Sequence, residues 1–256
     1  MPAKFVYNVI SDGWIKLEAA DFYTGDINMP PGRLLIGLNQ LLLRIAGKTV
    51  LIDTGLGNKW KKHKLELLGF EKPRMMLSQL DNLGVSPPDI DIVILTHLHY
   101  DHAGGSTHWI EGSKLAPVFE NAIYYTQKLE LDYAMNPDSD RETDYQGDDF
   151  LPLWEEERMI VLDGHTKLAD GLDVYPAPGH SPGHQVVVFG DSNNTLFFGG
   201  DLIPTREHAS LVVTSKYDLD PTLILKERKK WLAIIKREGW NCIFCHSIRD
   251  HIGMIT

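Results

Sequence analysis

The chain has 256 residues, 43% of them hydrophobic and 23% charged, the profile of a soluble globular protein with a full core. Its two cysteines exclude a disulfide framework, and its formal net charge of −10 disfavours a nucleic-acid partner, which calls for a basic surface. That charge is concentrated. Between residues 130 and 157 there are eleven acidic side chains and one basic one, Arg141, which leaves 24 of each sign elsewhere. The segment reads as a solvated face, with a lid over a site or a homodimer contact as the alternatives.

The N-terminal residues lack the long apolar core and small-residue cleavage site of a signal peptide. Residues 34–52 are the most apolar stretch, but Asn39, Arg44 and Lys48 interrupt it, so no membrane span is expected. The expectation is a cytoplasmic protein with one domain over residues 1–256. Residues 35–45 and 49–53, joined by Ala46-Gly47-Lys48, read as a hairpin with a tight turn. Residues 73–83 read as a helix ended by Gly84, and residues 91–95 as a buried strand. Residues 120–163 read as an irregular, helix-prone insertion. Asp220 as N-cap, Pro221 at the first helical position and Gly239 past the end frame the clearest helix. Its residues Ile224, Leu225, Trp231, Leu232 and Ile235 fall on one face. Residues 49–53 and 195–201 are faintly alike, which suggests two similar halves.

The chemistry is concentrated in Thr96-His97-Leu98-His99-Tyr100-Asp101-His102, directly after the strand at 91–95. Residues two apart on an extended chain point the same way, so His97 and His99 can grip one ion. Asp101 and His102, where the chain turns away, can face a second ion beside it. Imidazole and carboxylate suit zinc and its neighbours. Three histidines and an aspartate so close together after a hydrophobic strand are costly to bury unless something binds them.

This segment resembles the signature of the metallo-β-lactamase superfamily, in its branch of binuclear hydrolases. Pro178-Gly179-His180-Ser181-Pro182-Gly183-His184, Phe198-Gly199-Gly200-Asp201 and Cys245-His246 are similar to the family's remaining motifs. The resemblance implies that His97, His99 and His180 hold one metal, that Asp101, His102 and His246 hold the other, and that Asp201 bridges them. It also implies an α/β fold, a four-layer αβ/βα sandwich of two sheets face to face with helices outside. Asp53 resembles a supporting residue that orients a ligand, and His184 is a weaker candidate for the same task. His63, His165 and His251 read as surface or turn residues, while His108 and His208 are candidates to line the pocket.

Cys242-Ile243-Phe244-Cys245-His246 also matches the C-x-x-C-H pattern of covalent haem attachment. It is read here as accidental, with both cysteines as inert core residues, because His246 is wanted by the metal site. No organic cofactor is expected.

The resemblance implies a hydrolase that uses a hydroxide held between two divalent ions, zinc ahead of iron, manganese or cobalt. Asp101 and Asp201 are the expected catalytic carboxylates, with Asp201 able to shuttle the proton. β-Lactam-cleaving members with this ligand set lack the bridging aspartate, so antibiotic hydrolysis is disfavoured. The lactonases and organophosphate hydrolases are more similar. A lactone or carboxylic ester is the expected substrate, a phosphotriester the second choice. Outside hydrolysis, a di-iron redox protein and a non-catalytic metal-binding protein remain. Many lactonases of the family place a tyrosine just after the bridging aspartate; here Leu202-Ile203-Pro204-Thr205 follows, with Tyr100 or Tyr217 as substitutes. The substrate is expected to be small and neutral, with a pocket fed by Trp109, Tyr124, Tyr125, Phe150 and Trp154.

Overall fold

The structure is a computed structural model that describes residues 5–28, 31–67, 69–71 and 75–255. The chain begins β1 (Val6–Glu18), α1 (Ala19–Phe22), β2 (Thr24–Gly25), β3 (Arg33–Ile45), β4 (Lys48–Ile52), α2 (Lys62–Leu67), β5 (Phe70–Glu71), α3 (Met76–Asn82) and β6 (Ile92–Ile94). It continues with α4 (Tyr100–Ala103), β7 (Thr107–Ile110), β8 (Lys114–Pro117), β9 (Ile123–Gln127), α5 (Lys128–Ala134), α6 (Gly147–Glu155) and β10 (Met159–Leu162). The rest is β11 (Thr166–Ala169), β12 (Leu172–Pro176), β13 (Gln185–Gly190), β14 (Thr195–Phe198), β15 (Val213–Thr214), α7 (Pro221–Glu238), β16 (Asn241–Ile243) and β17 (Ile252–Met254).

Two large sheets result, one of seven strands in the order β10-β9-β6-β4-β3-β1-β5 and one of six in the order β11-β12-β13-β14-β16-β17. The apolar runs are continuous because both faces of the central strands are buried. Leu41, Leu43, Val50, Ile52 and Ile94 face inward from the first sheet, against Val174, Val187, Leu196, Phe198 and Ile243 of the second. The alternate residues Leu42, Leu51 and Val93 face outward, under Met76 and Leu80 of α3, Leu131 of α5 and Phe150 of α6. On the second sheet, Val186, Phe197 and Cys242 face outward under Ile224, Trp231 and Ile235 of α7. Strand alternation thus builds the expected αβ/βα sandwich.

The expected hairpin is β3 and β4, paired antiparallel across Ala46 (φ 50°) and Gly47 (φ 75°). Two left-handed residues give the turn the twist of its strands. The faint internal likeness has a structural counterpart. β4 pairs antiparallel with β3 and parallel with β6, while β14 pairs antiparallel with β13 and parallel with β16.

Two sequence expectations need correction. The helix expected over 73–83 is observed from Met76, and residues 73–74 lie outside the described residues. Residues 120–163, expected as a helix-prone insertion, do hold α5 and α6. They also hold β9 and β10, which pair in parallel at the edge of the seven-stranded sheet, β9 directly beside β6. Short apolar runs such as Ile123-Tyr124-Tyr125 carry no periodicity that separates strand from helix.

Helix α7 shows its expected boundaries: the Asp220 carboxylate accepts the Thr222 and Leu223 N–H groups, and Gly239 closes the end at φ 67°. Among the described residues no helix is long and apolar enough to cross a membrane. Replacing Asp220 with Ala removes the cap and should cost about 1 kcal/mol. Thermal unfolding should shift down by ~2–4 °C. An unchanged melting temperature would mean that α7 is held by its packing alone.

Candidate metal centre

The strand ends of both sheets converge on one edge. β6 runs into Thr96-His97-Leu98-His99, where Leu98 turns into the core while His97 and His99 point to the opposite side. Asp53 follows β4 directly, Asp201 lies three residues past β14 and His246 three past β16, and the connection from β12 to β13 carries His180 and His184. All seven proposed donors are brought together. His97, His99 and His180 have ligand atoms within 4.8 Å of one another, as do Asp101, His102 and His246. Asp201 lies between the groups. Its Oδ1 is 3.2 Å from Nε2 of His102 and 3.2 Å from Nε2 of His246, and its Oδ2 is 3.3 Å from Nε2 of His180.

The rings are aimed by their far nitrogens. His102 donates from Nδ1 to Asp53 Oδ2 at 2.8 Å, His246 from Nδ1 to the Gly37 carbonyl at 2.7 Å, and His180 from Nδ1 to Asp218 Oδ1 at 3.0 Å. Thr96 spends its hydroxyl proton on Asp53, so its oxygen accepts from His97 Nδ1 at 3.1 Å. Each of these rings, when neutral, therefore turns a lone pair on Nε2 inward. Asp53 manages its several bonds from a left-handed backbone (φ 59°), a conformation more common for aspartate than for bulkier residues. His184 lies one layer further out. It donates to the Ala177 carbonyl from Nδ1 and accepts the Asp201 N–H on Nε2, at 3.2 and 3.0 Å.

A cation fits this arrangement. Nε2 of His102 and Nε2 of His246 are 3.3 Å apart, and both would carry lone pairs, which repel unless a positive charge sits between them. His97 Nε2 is buried with no hydrogen-bond partner. His97 and His99 are held well below the ordinary imidazole value, first by burial and then by neighbouring rings, so they are neutral donors at neutral pH. For His102, His180 and His246 burial acts downward too, but the Asp201 carboxylate and its neighbours more than offset it and push them up. A divalent ion would satisfy the same field that otherwise favours protons.

Beside the donors is a pocket lined by the apolar Ile15, Leu17, Phe22 and Ile36 and by Tyr100, Asp144, Tyr217 and Asp218. The expected aromatic feed is not there. Tyr124 and Phe150 are core residues, and Trp109 and Trp154 are 48% and 41% exposed. Only part of the acidic stretch reaches the site, through Asp144 at the pocket, Tyr145, whose backbone bridges to His99, and the buried Glu130. Both substitute tyrosines line the pocket. So does His208, whereas His108 lies on β7 and is not among the lining residues. Cys242 is a core residue, pushed up to about 12 by burial. Cys245 is more than that, because its thiol donates to Asp201 Oδ1 at 3.3 Å. Sequence reasoning missed Asp218 and Glu130, which carry no local motif.

The metallo-beta-lactamase superfamily model matches residues 37–246, and the chain belongs to that family. An N-acyl homoserine lactonase of Bacillus thuringiensis is 25% identical over 234 residues, which cover 87% of this chain and 86% of the relative. A probable metal-dependent hydrolase from Staphylococcus aureus superposes with a TM-score of 0.86 at 22% identity, covering 95% of this chain and 89% of that one. An N-acyl homoserine lactone hydrolase with N-hexanoyl-L-homoserine at its catalytic metal centre superposes at 0.77 and 24% identity, covering 98% and 96%. These two likenesses carry the fold.

Asp218 orients His180, so Asp218→Ala should weaken metal binding by ~10–100-fold while the chain stays folded. Titration of the metal-free protein measures it. Unchanged affinity would mean that His180 takes its orientation from elsewhere.

Proposed function

We propose that this chain is a hydrolase that opens lactones, or cleaves related small neutral carboxylic esters, at a centre of two divalent ions, with zinc as the metal. The observation that carries the reading is Asp201, whose two oxygens reach ring nitrogens of both donor groups. The curated relatives, named as N-acyl homoserine lactonases and matched over most of their length, support lactone opening. His97, His99 and His180 would hold one ion, Asp101, His102 and His246 the other, and Asp201 both. Such ions supply Lewis acidity and lower the pKa of a shared water toward neutrality.

The chain's own groups supply the rest. Asp201 is placed to take the proton that the attacking water gives up and to return it to the leaving alkoxide. The Cys245 thiol donates to Asp201 Oδ1, the oxygen that also faces His102 and His246, and helps to hold it in place. Tyr100 and Tyr217 are pushed up by burial, so both remain protonated and can donate to the carbonyl oxygen as it gains negative charge. Ile15, Leu17, Phe22 and Ile36 offer a wall for the apolar part of the substrate. Asp144 at the same pocket adds negative charge, which disfavours polyanions and tolerates neutral esters.

The test is kcat/KM over matched N-acyl lactones, aryl esters, phosphotriesters and phosphodiesters, with the chelated protein as control. The lactones should lead and chelation should abolish turnover. Asp201→Ala should lower kcat by at least ~10²-fold with the fold retained. A phosphodiester turned over faster than any neutral ester would contradict the reading.

A further inference from the structure

We propose that Glu130 is a positioning residue for the three-histidine donor group, a buried carboxylate strap that ties the segment bearing His97 and His99 to the turn bearing His180. The inference rests on the metal-centre reading above, but it concerns a residue bonded to the backbone and side chains beside the histidines rather than to their rings. Glu130 lies in α5, directly after β9, and is fully buried. Its Oε1 accepts the Leu98 N–H at 2.9 Å, between His97 and His99, and the Tyr145 hydroxyl at 3.4 Å. Its Oε2 accepts the Ser181 hydroxyl at 2.5 Å and the Gly183 N–H at 3.1 Å, immediately after His180. The turn rests directly on α5, since a Cβ on Gly183 would come within 2.0 Å of the Glu130 backbone nitrogen.

Burial pushes this carboxyl up, but the Ser181 hydroxyl and the Leu98 and Gly183 N–H groups act the other way and favour the carboxylate form. Burying a charge in this way is poor value for stability alone, because a hydrophobic residue of similar volume commonly does as well. What the carboxylate adds is registry. Each oxygen fixes one ligand-bearing segment, and the two oxygens belong to one rigid group, so the spacing between His97/His99 and His180 is set by Glu130. The other donor group takes its anchors elsewhere, from Asp53, which also reaches His97 through Thr96, and from the Gly37 carbonyl behind His246. Loss of the strap should therefore act on one metal position and spare the other.

Glu130→Gln tests this, because its amide end presents a donor where donors already converge. The metal-free protein is titrated with zinc ions, and occupancy of each position is read from anomalous scattering in crystals of wild type and variant. Binding at His97/His99/His180 should weaken by ~10–100-fold. Binding at Asp101/His102/His246 should stay within about threefold of wild type. Ser181→Ala removes a single donor and should produce a smaller loss at the same position, which decides the matter if Glu130→Gln fails to fold. Equal weakening of both positions in a folded variant overturns the strap, as do unchanged affinities in both variants. A wild-type chain that takes up fewer than two ions overturns the two-metal reading and the strap together.

Discussion

The structure at the strand ends depends on ring nitrogens that face one another across about a hydrogen-bond length and need positive charge between them. His99 Nδ1 and His180 Nε2 are 3.1 Å apart, and Nε2 of His102 and Nε2 of His246 are 3.3 Å apart. No arrangement of neutral rings with Nδ1 already committed relieves the second pair. Positive charge must, and the central Asp201 carboxylate supplies the negative counterpart. The surrounding fold is a device for holding those rings still. Asp53, Asp218, the Gly37 carbonyl and Thr96 each fix one ring from its far side. They do so from segments far apart in the chain, so the sandwich must close before the site exists.

That dependence explains the architecture. Asp53 after β4 and the histidines after β6 belong to one sheet, Asp201 after β14 and His246 after β16 to the other, and the two sheets meet through an apolar interior that excludes water. The same three-strand pattern in each sheet delivers an acidic residue and a histidine to a common edge. Rigid strand ends suit a centre that must hold donors to a fraction of an ångström, which loops alone would hold less well.

Much of this was legible in the sequence, for identifiable reasons. His97, His99, Asp101 and His102 follow one strand within six residues, so periodicity alone groups them. His180, Asp201 and His246 needed the family resemblance, since they are separated by long stretches of chain. Glu130 was hidden in a run of acidic residues, and its partners are 15, 32, 51 and 53 residues away. Asp218 sits 38 residues from His180. The pocket wall was misassigned because aromatic residues were favoured over the plain alternation of Ile15 and Leu17 on β1, which places both on one face.

The most direct test of the central claim is the crystal structure of the metal-replete protein, with the ions located by anomalous scattering at their absorption edges. The account predicts two ions, one bound by His97, His99 and His180 and the other by Asp101, His102 and His246, with Asp201 contacting both. A single fully occupied position under metal-replete conditions, or ions bound away from Asp201, would contradict it.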